Sequence, residues 1–210
     1  MAAAWYLARG TGIVLLVLLG LVVALGVATR SGRALPGLPR FVLTMLHRST
    51  SLLVLALLTV HVTTMVLDPY AGIGVLDVVV PFRAAAHPLA YGAGTLALDL
   101  LLAVTATSLL RRHIGPRVWR AVHWIAYACW PLSVAHGLGG GTDAGRPWML
   151  GAVALSAALV LGSVGWRLTF PPGPGVSPAA PWPASADDRR RSGSAPLFGS
   201  AELPVRGGRR

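Results

Sequence analysis

Five stretches of roughly 20 mostly apolar residues run through this chain, the length a helix needs to cross a hydrocarbon core about 30 Å thick. They fall near Gly10–Thr29, Phe41–Leu67, Pro88–Leu110, Val118–Leu138 and Pro147–Trp166. Their internal Gly and Pro are compatible with membrane helices, which tolerate both better than soluble ones do. Only 12 % of the 210 residues are charged while 54 % are hydrophobic. A soluble domain carries about 25 % charged residues, so an ordinary soluble globule is excluded. The expected fold is therefore all-α: an integral membrane bundle of about five transmembrane helices over residues 1–170. Residues 171–210 hold 8 Pro and 6 Gly, which predicts a disordered tail. The first span is read as a membrane helix and not a signal peptide, because its apolar run is long and no clear cleavage site follows.

The formal charge is +11 and every one of the 18 basic residues is Arg. Nucleic acid is not the implied partner, because most of these Arg punctuate apolar runs. Fifteen of them lie in the links between spans one and two and between three and four, just inside the following helices, or after span five. Only Arg9, Arg83 and Arg146 lie on the other side. The positive-inside rule then places the N-terminus outside, the C-terminus in the cytoplasm and the chain in the cell membrane. The lone Cys129 excludes a disulfide framework and a Cys-rich metal site, and the absence of Cys-x-x-Cys-His excludes covalent haem. No Gly-x-Gly-x-x-Gly follows a strand pattern, so no dinucleotide-binding domain is expected here.

Four histidines form two matched pairs. His47 and His61 lie 14 residues apart on span two, and His123 and His136 lie 13 apart on span four. Both spans run from inside to outside in this topology. His47 and His123 therefore share the inner depth, and His61 and His136 the outer, roughly 20 Å away at 1.5 Å rise per residue. Histidine inside a membrane is a functional signal by default. Two imidazoles facing each other at each of two depths suit bis-histidine haem, and two haems so placed make an electron path across the bilayer. A metal or proton path through the same residues is the alternative. On an ideal helix a 14-residue step returns within about 40° of its start, whereas 13 residues miss by about 140°. His123 and His136 thus share a face only if the helix is distorted, with Pro131 as the candidate. His87 and His113 read as loop residues.

The two pairs resemble the ferric reductase-like transmembrane domain family. So do the shorter segments Leu-His-Arg at 46–48, Asp-Pro-Tyr at 68–70, Thr-Ser-Leu-Leu-Arg-Arg at 107–112 and His-Gly-Leu at 136–138. The resemblance spans roughly residues 10–168. It implies an inner b-type haem on His47 and His123 and an outer one on His61 and His136, with the four histidines as axial ligands to iron. It also implies electron flow from a cytosolic reduced flavin to an acceptor at the outer face. The flavin and nicotinamide domains of larger members are missing, which points to a flavin-containing or other redox partner protein and to an oxidoreductase subunit. A quinol-linked cytochrome b anchor for a soluble enzyme and a histidine-based transporter are the competing readings.

Other residues are placed around this scheme. Arg48 and Arg120 are candidates for the inner haem propionates or for interfacial anchoring, and Arg83 and Arg146 are weaker candidates for the outer ones. Asp99, the one acid inside a span, is a candidate for tuning a haem, carrying a proton or bonding a neighbouring helix, with the structural role favoured. Trp124, Tyr127 and Trp130 are read as packing or an interfacial belt, and Cys129 as a small buried apolar residue.

Overall fold

The computed structural model describes residues 2–31, 39–141 and 143–170; the tail over 171–210 lies outside them. Those residues form six helices: α1 (Ala2–Arg30), α2 (Arg40–Leu67), the short α3 (Val75–Val79), α4 (Pro88–Leu109), α5 (Arg111–Gly140) and α6 (Pro147–Thr169). The five long helices stand where the five apolar stretches are. Four of them, α1, α2, α4 and α6, are both long and apolar enough to cross a membrane. The remaining one, α5, has the length, but Arg111, Arg112, Arg117 and Arg120 crowd its first turns and its membrane stretch mixes His, Trp and Tyr with apolar residues. The chain is a multi-pass, all-helical membrane protein.

Local chemistry sets the helix ends. Pro69 disfavours helical geometry at the residue before it, and Asp68 is extended, at φ −85° and ψ 108°. The Asp68 carboxylate then accepts from the Tyr70 N–H at 3.0 Å, closing a turn. Proline opens α4 and α6 at the first helical position, where its missing N–H costs nothing. Inside α5, Gly115 takes φ 75° and ψ 159°, a conformation open to glycine, and Pro116 restarts the helix. Gly115 is the one non-helical residue inside α5, so the chain stays helical across Pro131.

The core sits around α1, which packs against α2, α5 and α6, while α4 packs against α5. The helices bearing the four histidines, α2 and α5, are not close-packed partners. One polar knot ties the bundle behind them. Ser156 of α6, fully buried, donates to the Leu16 carbonyl of α1 at 2.9 Å and accepts from the Trp130 indole N–H of α5 at 2.8 Å. Gly20 permits this approach, since a Cβ there would overlap the Ser156 side chain. Trp130 is thus a packing residue, as expected.

Candidate cofactor site

Antiparallel packing of α1 on α2 places both α2 histidines against α1 in the same way. His61 Nδ1 lies 2.8 Å from the Ala8 carbonyl, and His47 Nδ1 lies 3.1 Å from the Val22 carbonyl. Ala8 and Val22 are 14 positions apart, the same step as His47 to His61 taken in the opposite direction. Fourteen residues are two heptads, which keeps both contacts on one seam of a helix pair. Each histidine also meets a glycine four residues after its carbonyl. A Cβ on Gly12 would come within 3.1 Å of His61 Cε1, and one on Gly26 within 3.4 Å of His47 Cε1.

His136 of α5 repeats the arrangement on α4. Its Nδ1 lies 3.0 Å from the Ala90 carbonyl, and a Cβ on Gly94, again four residues on, would meet the ring at 2.5 Å. A carbonyl only accepts, so Nδ1 carries the proton in all three rings. In a neutral imidazole Nε2 is then left with its lone pair, the tautomer that binds a metal. Backbone bonds of this kind fix the ring orientation of metal-ligating histidines.

The outer pair meets across a cavity of about 540 Å³ lined by residues of all six helices, a size in the range of cofactor sites. Leu16, Val54, Leu58, Leu98 and Cys129 supply apolar wall, and Cys129 is buried as expected. The ring centroids of His61 and His136 are 6.3 Å apart, with planes at 89°. Two imidazoles on opposite sides of one metal ion, each at a metal–nitrogen distance of about 2.0 Å, have centroids roughly 6 Å apart. The outer pair has the ring separation that a shared iron requires.

The inner pair differs. His47 is held by Val22, but His123 Nδ1 is buried and has no hydrogen-bond partner among the described residues. Its ring instead stacks on Trp119 of its own helix, at 4.9 Å and 25°. His123 is within electrostatic range of His47 and of Arg30 at the end of α1. The 13-residue step on α5 has a visible consequence: one of its two histidines finds a backbone partner and the other does not.

The cations are not all where they are expected. Arg48 and Arg120 are exposed, and Arg120 Nε donates to the Pro116 carbonyl at 3.0 Å. Arg30, read from the sequence only as a topology charge, is half-buried, with its guanidinium 4.9 Å from the Trp124 ring centroid. At the His61–His136 end Arg83 is turned to Asp77 at 3.2 Å, and Arg146 precedes α6 without lining the cavity. Arg9 lines the cavity instead, paired with Asp143 and set against the rings of Trp5 and Trp148. The expected helix bond of Asp99 is not made: Asp99 is half-exposed, with no hydrogen bond or ion pair among the described residues. His113 is exposed, ahead of the break at Gly115. His87 is exposed at the start of α4, yet it lines the cavity beside Tyr91, whose ring is 6.0 Å from that of His136.

Comparison with known proteins gives one match. The family model described as ferric reductase like transmembrane component matches residues 11–134, which includes His47, His61 and His123 and stops two residues short of His136. No curated protein and no solved structure matches the chain.

Proposed function

Since the chain belongs to the ferric reductase-like transmembrane component family, as the match over residues 11–134 shows, we propose that it is a di-haem b-type cytochrome that relays electrons across the membrane. Electrons enter from a cytosolic reduced flavin or flavoprotein and leave to an acceptor at the outer face. The observation that carries this reading is the outer pair: two imidazoles 6.3 Å apart across a cavity, each with Nδ1 held by a backbone carbonyl and Nε2 left to bind a metal. Among the described residues, no group of three or more His, Cys, Asp or Glu is placed to hold a bare metal ion. Two imidazoles per layer are enough where a porphyrin supplies the other four nitrogens, which favours haem over a transported metal.

When bound, each haem supplies a reversible one-electron couple at its own depth. The residues of the chain bind and orient it. Ala8, Val22 and Ala90 fix three imidazoles in the ligating tautomer, and Gly12, Gly26 and Gly94 leave room for the rings to come close. His123 completes the inner pair. Arg48, Arg120 and Arg30 at the Arg-rich end offer cations to the carboxylates of the inner haem, as Arg9 does for the outer one. The Arg distribution supports an N-terminus outside and a C-terminus in the cytoplasm. The flavin is carried by a redox partner protein.

The test is electron transfer through sealed vesicles that carry the protein and an enclosed ferric acceptor, with reduced flavin added outside. Wild-type vesicles should reduce the enclosed acceptor, and vesicles with His61→Ala should not. Equal reduction by protein-free vesicles and by both forms would contradict the proposal.

A further inference from the structure

We infer that the link between α2 and α4 is a re-entrant segment: it dips into the membrane beside α4 and turns an apolar face to the lipid acyl chains. Residues 73–82 read Ile-Gly-Val-Leu-Asp-Val-Val-Val-Pro-Phe, with one charge in ten positions. An apolar run of this length is too short to span a bilayer and suits a segment that enters and leaves on one side.

The fold sets the depth of this segment. Ala8, His61, Ala90 and His136 share one level, because the two carbonyls hold the two rings of the outer pair. Trp5 lies three residues from Ala8 towards the helix end, roughly 5 Å, and with Tyr6 and Trp148 it marks the membrane interface. The link goes the other way. The Thr95 hydroxyl donates to the Asp77 carbonyl at 2.8 Å, and a Cβ on Gly92 would overlap the Phe82 ring. Thr95 is five residues from Ala90 towards the middle of α4, roughly 8 Å further in. Helix α3 therefore lies at hydrocarbon depth, against a helix whose 22 residues are about enough to span the core.

Backbone polar groups at that depth have to be satisfied by protein. In α3 the Asp77 carbonyl would be met by the N–H of residue 81, but that residue is Pro81 and has none. The Thr95 hydroxyl takes its place. The Asp77 carboxylate accepts from the Gly74 N–H at 2.8 Å and from Arg83 Nε at 3.2 Å, so the acid carried to this depth is paired. Phe82, at φ 65°, holds a left-handed conformation that bulky side chains rarely adopt, and its ring is seated on Gly92 as the chain turns back to the start of α4.

The segment is inside-out. Ile73, Asp77 and Val78 line the cavity of the outer pair. Val75, Leu76, Val79 and Val80 share the opposite face of α3, and each is at least 45 % exposed. A short helix standing in water would place its acid outside and its valines inside. Leu67 and Leu89, at the helix ends that the link joins, are exposed as well, so the apolar surface runs on into the two spans. Acyl chains are the partner that such a face at such a depth fits. Helices α2 and α4 are not close-packed partners, and the segment supplies cavity wall between them.

The test is spin labelling of the full-length protein in lipid vesicles. Labels are attached in Leu76→Cys and Val79→Cys on α3, in Leu102→Cys on the exposed face of α4 and in Gly145→Cys in the α5–α6 link. The native Cys129 is buried, and the unsubstituted chain gives its background. Collision with oxygen reports a lipid surrounding, and collision with a water-soluble nickel chelate reports water. Leu76→Cys and Val79→Cys should match Leu102→Cys, with oxygen collisions dominant, while Gly145→Cys should show the reverse. Dominant nickel collisions at the two α3 positions would overturn the inference and make the link a water-exposed loop. Low collision with both reagents would overturn it in favour of a second copy or a partner protein on this face. Thr95→Val frees the Asp77 carbonyl and keeps the side-chain volume, so nickel collisions at Val79→Cys should rise severalfold as the segment moves towards water. Thr95→Ser keeps the hydroxyl and should leave them low. An unchanged signal in Thr95→Val would overturn the role of Thr95 as the seat.

Discussion

Gly94 has the tightest tolerance of the three glycines behind the histidines. A methyl group there would lie 2.5 Å from His136 Nδ1, against 3.1 Å for the nearest approach at Gly12 and 3.4 Å at Gly26. The first distance requires the His136 ring or helix α4 to move; the last is ordinary contact. Overpacking of this kind costs about 1–3 kcal/mol, and here it would also pull the ring off the Ala90 carbonyl. Alanine at these positions should therefore lower haem content in the order Gly94 first, Gly12 second and Gly26 last. Haem-to-protein ratios of the three purified variants check the order, and a Gly26→Ala loss as large as that of Gly94→Ala would break it. The four histidines were legible in the sequence because ionisable residues inside apolar runs stand out. The glycines and carbonyls behind them were not, since a small residue in a membrane helix is common and means nothing until its neighbour is known. One signal was present: Gly12 and Gly26 repeat the 14-residue step of His47 and His61. Arg30 was overlooked because an Arg at a helix end is already explained by topology.

Helix α1 does more than its sequence suggests. It reads as an uninterrupted apolar span, yet it supplies the carbonyls for two histidines and holds α6 through Ser156. The spans themselves were readable, because about 20 apolar residues leave few other options. Helix α5 was harder to place: Pro131 was the candidate for a distortion between His123 and His136, yet the backbone stays helical across it, and a separate break lies ahead of both at Gly115, where a left-handed residue precedes Pro116. Which helices pack together could not be read from apolar faces, since these helices are apolar nearly all round and lipid and protein neighbours are equally apolar. The polar knot carries a prediction at this scale. Ser156→Ala leaves the half-buried Trp130 indole N–H without its partner and removes the bond to Leu16, a loss of about 1–3 kcal/mol. The thermal midpoint should fall while the haem spectrum of the folded protein stays unchanged, because the knot touches no histidine. A spectrum altered at constant stability would contradict that separation of roles.

For the molecule as a whole, the proposed topology accounts for most of the excess of Arg over acidic residues, and the sparse charge within the bundle sets the histidines apart. Two layers follow from two hairpin-like packings: α1 on α2 gives both histidines of α2 a carbonyl and a glycine, and α4 on α5 gives them to His136 alone. The outer layer is complete on both sides, and the inner one is complete on one. A relay needs both, so the number of haems held by the bundle is the quantity on which the account depends. It is measured by expressing the full chain in a haem-replete host, purifying it, and recording reduced-minus-oxidised spectra together with haem and protein content. The account predicts b-type bands and about two haems per chain; a colourless protein from such a host would contradict it.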